Sequence, residues 1–246
     1  MLKVGRLFLT LILAGAAAMA GDLTITFTSQ GKGSAGGKEI HYYGTRYMRN
    51  NSEGTKTDTM VDYEKMVTYT IDHKKKKISF MNMDDALAAM AKANQAMPAE
   101  MAAAMGGMFG DPNDFSVDEL GKEEIAGRKC KQFRIKVAKL VMELSADPTL
   151  KPPMPAVNYA NMLRARAAMM AAAGPMAKSF QRLYEEMSKI QGIPLKTNMS
   201  GMMGMNVSTV AIEVKEGPVP ASVFALPEGY TTEDAGKKML KDLDKK

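Results

Sequence analysis

The sequence of 246 residues contains no tryptophan, two histidines and a single cysteine. Because Cys130 stands alone, no intrachain disulfide can form, and a hydrophobic core must stabilise the fold. His41 and His73 lie far apart, and the H-E-x-x-H, C-x-x-C and G-x-S-x-G motifs are all absent. A catalytic triad remains an open alternative, because its members can be distant in the sequence and meet only in the folded protein. We expect a protein that is not an enzyme and that uses no cofactor or metal.

A strong excess of one charge is also missing. The chain has 33 lysines and arginines against 27 acidic residues, a formal net charge of +6, and both signs are scattered along it. This distribution argues against nucleic-acid binding, which requires a concentrated basic face. Only residues 74–77 and the closing KKMLKDLDKK are densely charged, and they are interpreted as a solvated turn and a solvated tail.

Long hydrophobic runs are absent after the first twenty residues. Residues 1–20 combine a basic start, an apolar run over residues 7–13 and the small-residue ending Ala-Met-Ala. This pattern predicts a secretory signal peptide cleaved after Ala20, because the run is shorter than the roughly 20 residues of a membrane-spanning helix. We therefore expect an exported, periplasmic protein without an integral membrane segment in the mature chain, whose formal charge falls to +4.

Alternating residues predict strands in the first third of the mature chain. Apolar and polar residues alternate at 23–28, 67–71 and 78–80, which indicates antiparallel strands with one covered face. Gly31, Gly33 and Gly36 match the dinucleotide motif G-x-G-x-x-G, but the following KEIHYYGTRYM alternates like a strand and does not open a helix. This glycine-rich segment is predicted to be a hairpin turn.

A period of three to four residues then predicts helices. One begins after a cap at Asn82 or Asp84 and is broken at Pro98, and a second helical region spans residues 158–190 with a break at 174–175. Strands are expected at 131–137, 140–144 and 207–214, and VPASVFALPEGY is predicted to be an edge segment because of its prolines. These elements predict an α+β fold, a curved antiparallel sheet with helices on one face, as a single domain over residues 21–232. Residues 233–246 are predicted to be a polar tail or short helix.

Methionine is unusually abundant, with 24 residues. Both helical regions carry methionine-rich stripes, and methionine suits surfaces that adapt to varied apolar partners. We predict a binding site for an apolar or amphiphilic ligand, such as a lipid or acyl chain, lined by Leu87, Met90, Met97, Met101, Met105, Met108, Met176, Phe180, Leu183 and Met187.

Two alternatives remain open for the methionines. Thioethers also bind Cu(I), and NMSGMMGMNV supplies Met199, Met202, Met203 and Met205 without a neighbouring histidine. A protein that buffers copper or oxidants is therefore one alternative, and a structural or interaction module of the cell envelope is another. The stretch itself is interpreted as a flexible, apolar entry to a strand.

Cys130 precedes a predicted strand and is out of phase with Phe133, Ile135 and Val137. It should therefore face the opposite side of the sheet, unless a bulge intervenes. We interpret it as a small, half-buried residue, because a reactive thiol needs an activating environment.

Several phrases carry a family resemblance. MVDYEKMVTYTIDHKKKKISFMNM, GKEEIAGRKCKQFRIKV, IQGIPLKTNM and VAIEVKEGPVPASVFALPEGY resemble an uncharacterised exported bacterial family known only as a domain of unknown function, of the 4412 type. That family is in turn similar to periplasmic lipoprotein carriers of the LolA and LolB type. The resemblance implies an unclosed half β-barrel around helices, with helices on the concave face and an apolar cavity. KLVMELSAD stands where the family often has a tryptophan, and no carrier residue can be matched to this sequence.

Overall fold

The computed structural model describes residues 21–32, 34, 36–101, 103–104, 110–111, 113–171, 174, 177–200 and 206–245. Within these ranges, one sheet contains all twelve strands. The strands are β1 (Leu23–Lys32), β2 (Lys38–Tyr43), β3 (Tyr47–Ser52), β4 (Thr57–Asp62), β5 (Val67–Asp72), β6 (Lys77–Asn82), β7 (Phe115–Ile125), β8 (Arg128–Val137), β9 (Leu140–Asp147), β10 (Ile193–Ser200), β11 (Asn206–Glu216) and β12 (Thr231–Asp234). Their order across the sheet is β12-β6-β5-β4-β3-β2-β1-β11-β10-β9-β8-β7.

Four longer helices accompany the sheet: α1 (Met83–Gln95), α2 (Ala156–Ala171), α3 (Ala177–Ser188) and α4 (Ala235–Leu243). Helix α1 begins where the sequence predicts, since the Asn82 side chain accepts a hydrogen bond from the Asp85 amide at 2.8 Å. Helix α1 packs against α4 and β6, whereas α3 packs against α2 and β8. Helices α1 and α2 also contact each other, so the helices form one connected group that reaches from β6 to β8.

The strand register defines two faces of the sheet, because paired residues point to the same side. Ile25 pairs with His41, and His41 pairs with Asn50. We call this side the His41 face. Tyr42 pairs with Arg49, and Arg49 pairs with Met60. We call the opposite side the Arg49 face.

The buried side of the sheet changes along the strand order. On β1, the His41 face carries the core, since Leu23, Ile25 and Phe27 are at most 5% exposed. On β4, the Arg49 face is the buried one, since Asp58 and Met60 are at most 5% exposed. The His41 face of β2 to β6 is consequently left half-buried.

Helix α3 covers the His41 face at the other end of the sheet. The pairs Ser29–Thr209, Thr209–Thr197 and Thr197–Leu144 connect β1 to β9 along one row. Leu144 packs in a buried cluster with Leu183 of α3. The apolar side of α3 and the half-buried face of β2 to β6 thus belong to the same side of one continuous sheet.

The predicted α+β fold with an open, curved sheet is confirmed, as are the antiparallel pairing of the strands on either side of the glycine-rich segment and the β8–β9 hairpin. The predicted break at 174–175 falls partly outside the described residues. β12 adds one parallel pair to an otherwise antiparallel sheet.

The prediction of an edge segment in VPASVFALPEGY is wrong. Its prolines leave few donors for a ladder, so the segment forms a short 3₁₀ turn (Ala221–Phe224), and β12 occupies the edge instead. The predicted boundary between residues 232 and 233 falls within β12.

Candidate functional site

Two parallel rows of side chains form a wall on the His41 face of β2 to β6. The first row is mainly apolar and consists of Tyr43, Met48, Val61, Thr68 and Met81. The second row is polar and consists of His41, Asn50, Thr59, Thr70 and Ser79. Thr70 is exposed and the other nine side chains are half-buried. The wall therefore offers an apolar and a polar strip side by side, about 7 Å apart along each strand.

Aromatic rings and a carboxylate close the β1 side of this wall. The His41 ring lies 4.7 Å from the Phe27 ring and 6.3 Å from the Tyr43 ring, measured between centroids. Its Nε2 atom lies 3.5 Å from a carboxylate oxygen of Glu39. The adjacent imidazole lowers the pKa of Glu39 and outweighs burial, which acts in the opposite direction. Glu39 is therefore a carboxylate at neutral pH.

Methionines line the same face beyond β1. Met199 of β10 pairs with Met142 of β9, which in turn pairs with Ile135 of β8. Met142 packs on the buried cluster of Ile135, Val137, Leu144, Ala146 and Leu183. Met187 and Ile190 contact this cluster from α3 and its end, and both remain half-buried. This end of the face is apolar and retains adaptable side chains at its margin.

The predicted ligand-binding residues that the structure describes lie on α1, just after it, and on α3. Leu87 and Met90 are half-buried on α1, Met97 is half-buried just after it, and Met101 is 55% exposed. On α3, Leu183 is buried in the sheet-facing cluster and Met187 packs at its edge. Met105, Met108 and Met176, together with the Phe180 side chain, lie outside the described residues. Helices α1 and α3 share no substantial interface within the described residues, so the grouping of their side chains into one site stays a prediction.

Sequence reasoning missed three of the methionines that the strands contribute, Met48, Met81 and Met142, and considered Met199 only as a Cu(I) ligand. Met48, Met81, Met142 and Met199 all point to the His41 face. A signal was present, since each methionine stands in phase with an alternating strand, but the strand register was needed to bring them to one side.

The Arg49 face carries a polar network that holds the C-terminal segment. Arg49 donates hydrogen bonds to the Val223 carbonyl at 2.7 Å, the Ala225 carbonyl at 3.1 Å and Asp58 Oδ2 at 2.6 Å. Asp58 also contacts His73 Nε2 at 2.8 Å. We call residues 217–230 the strap, because this segment crosses the Arg49 face and is tied to it by these bonds.

Cys130 is 1% exposed and is therefore more deeply buried than the half-buried position that we expected. It packs with Leu23 and Ile25 of the His41 face and with Leu195, so the expectation that it faces the side opposite to Ile135 is not confirmed. Burial raises the pKa of the Cys130 thiol to about 11, with Asp147 contributing in the same direction. The thiolate that reactions of cysteine require is therefore scarce at neutral pH.

The described residues offer little for a metal ion. They contain no group of three or more histidine, cysteine and acidic side chains that could hold one. Of the four methionines considered for Cu(I), only Met199 is among the described residues. A surface groove of about 330 Å³ lies beside α4, lined by Ala235, Lys238, Met239, Asp242 and Leu243.

In the part of the chain that the structure describes, no helix has both the length and the apolar character needed to cross a membrane.

Residues 20–230 match the family described as Domain of unknown function (DUF4412). The chain belongs to the DUF4412 family. This confirms the predicted family, and the match includes every strand of the sheet except β12. No curated protein matches this DUF4412 protein.

Solved structures with similar folds have low sequence identity to this DUF4412 protein. An uncharacterized conserved protein from Thermus thermophilus is 9% identical with a TM-score of 0.45, and the alignment covers 88% of this chain and 91% of that one. MucB, in the complex structure of Pseudomonas aeruginosa MucA/MucB, is 13% identical with a TM-score of 0.41, covering 85% of this chain and 56% of that one. A LolA superfamily protein from Nitrosomonas europaea is 8% identical with a TM-score of 0.30, covering 84% and 90%.

Proposed function

We propose that this DUF4412 protein is an exported, periplasmic, non-catalytic protein that binds an amphiphilic ligand, such as a lipid or another molecule with an acyl chain, on the His41 face. Export rests on the signal-like residues 1–20 and on the family resemblance. The absence of catalytic motifs from the sequence and the raised pKa of Cys130 support a role without covalent chemistry.

The pair of rows on β2 to β6 is the observation that carries the proposal. Strands in a buried core have consistently apolar side chains, and strands facing water have consistently polar ones. This wall has one row of each kind, and nine of its ten side chains are half-buried. Five strands at about 4.8 Å spacing give a strip about 19 Å long, which suits an extended chain running across the strands.

The methionine-rich helices supply the second side of the proposed site. Leu87, Met90, Met97, Met101, Met105, Met108, Met176, Phe180, Leu183 and Met187 are proposed to cover the apolar part of the ligand. Leu87, Met90 and Met187 are half-buried and so have apolar surface left to lose. Leu183 is already buried against the sheet, and its role is to fix α3 in place.

Purification from its own envelope tests the proposal directly. Native mass spectrometry should show bound amphiphile, and the emptied protein should take up a fluorescent fatty acid. Protein that is reproducibly empty and takes up no fatty acid would refute the proposed function.

A matched pair of variants tests the location. Val61→Glu places a charge in the apolar row and should weaken uptake at least about tenfold. Val157→Glu makes the same change on α2, where the valine is 64% exposed and lies outside the wall, and uptake should be unchanged. Equal uptake by the two variants, each with unchanged circular dichroism, would place the ligand elsewhere.

A further inference from the structure

The His41 face contains a compact group of polar side chains at one end of the wall. His41 and Asn50 are paired across β2 and β3, and Glu39 and Ser52 form the neighbouring pair. Directly paired side chains have Cβ atoms about 5 Å apart. Four polar groups therefore converge on an area of two residue pairs, beside the Phe27 ring.

Three polar atoms in this group have no hydrogen-bond partner among the described residues. They are His41 Nε2, Asn50 Oδ1 and Ser52 Oγ, and all three are buried. The distance of 3.5 Å from His41 Nε2 to Glu39 is too long for a hydrogen bond. Buried polar atoms in folded proteins nearly always have a partner, and three exceptions on two adjacent strands call for one explanation.

Three of the four groups are suited to accept hydrogen bonds. The Asn50 amide oxygen and the Glu39 carboxylate only accept, and the Ser52 hydroxyl can accept. Among the described ion pairs, no lysine or arginine contacts Glu39. The three accepting side chains therefore suit a small chemical group that donates hydrogen bonds and accepts none. An ammonium group, with three N–H donors and no acceptor, has this character.

We propose that Glu39, His41, Asn50 and Ser52 form a subsite for the primary ammonium headgroup of the bound amphiphile. This inference rests on the proposed function and specifies its ligand class as a cationic amphiphile. The side chains of Glu39 and His41 are 29% and 17% exposed, so the headgroup would enter from their side. The apolar row beginning at Tyr43 runs alongside, and the chain of the ligand would lie on it.

Two probes with the same chain and opposite headgroups test this subsite. Dodecylamine and laurate are titrated calorimetrically into the full mature protein at pH 7.5, below their micelle concentrations, where an alkyl ammonium group is charged. Dodecylamine should bind at least about tenfold more tightly than laurate. Equal binding overturns the ammonium subsite but leaves the proposed function standing, and no binding of either probe counts against the proposed function itself.

Single substitutions test which residues cause the tighter binding of dodecylamine than of laurate. Glu39→Gln should reduce the preference to about twofold, whereas Glu53→Gln, which changes an exposed glutamate outside the wall, should keep it. Ser52→Ala removes a single oxygen and should weaken dodecylamine binding about threefold to tenfold without affecting laurate; it serves as the test if Glu39→Gln does not fold. A preference for dodecylamine that survives both substitutions would show that the subsite is not here.

Discussion

Replacing Arg49 should strongly destabilise the fold. Arg49 is 8% exposed, and its guanidinium joins Asp58 to two carbonyl oxygens of the strap. Arg49→Met keeps most of the side-chain volume but leaves Asp58, which is 5% exposed, without its main counter-charge. Removing one partner of a buried ion pair typically costs about 3–5 kcal/mol, because the remaining charge stays desolvated. We expect a loss of this size in the free energy of unfolding.

Urea unfolding followed by far-ultraviolet circular dichroism measures this loss. Arg134→Met is the matched control, since Arg134 binds Glu143 at 2.7 Å while its side chain is 47% exposed. An exposed pair contributes only about 0–1 kcal/mol. The double variant Arg49→Met with Asp58→Leu should recover part of the loss, because it removes both charges. If Arg49→Met and Arg134→Met differ by less than about 1 kcal/mol, the network does not anchor the strap.

Three further predictions concern single sites. Cys130 should react with a thiol reagent at pH 8 only as fast as the protein opens, because the residue is 1% exposed and burial also raises its pKa to about 11; rapid labelling of the folded protein would contradict this burial. Gly192→Ala should lower the free energy of unfolding by at least about 1 kcal/mol, because Gly192 has a φ of +94° and an added Cβ atom would overlap the Asp147 carbonyl oxygen. A urea titration measures this loss, and an unchanged midpoint would refute the prediction. Hydrogen bonds from Lys238 and Lys77 lower the pKa of Glu233 to about 2, so its contribution to stability is present above pH 4.5 and is lost as the pH falls towards 2. A carboxyl titration by nuclear magnetic resonance with a midpoint near 4.5 would contradict this.

Sequence patterns predicted the fold best where one face of an element is fully buried. Leu23, Ile25 and Phe27 are buried at every second position, and the alternation is visible in the sequence. β7 gave no such signal, because it lies at the sheet edge and most of its side chains are exposed, including Phe115 and Val117. An edge strand needs no apolar face, so alternation cannot reveal it.

The candidate site was less accessible to sequence reasoning. The helical methionines stood out because their spacing repeats within one segment, but the wall on β2 to β6 is a property of five strands in register. The strap was hidden for a similar reason. Arg49 meets the Val223 carbonyl, 174 residues later, and a backbone acceptor leaves no mark on the sequence.

The position of β1 also determines when the sheet can be completed. β1 lies between β2 and β11, and Leu23 pairs with Glu216. As the chain is synthesised, the β1–β2 hairpin forms early, but one edge of β1 stays unpaired until residues 206–216 have been made. Such long-range pairing slows folding and leaves an apolar edge open to aggregation. The nascent protein should therefore expose this edge until β11 is made, and a circular permutant that begins at β10, with residues 217–246 between β11 and β1, should fold faster than the natural order.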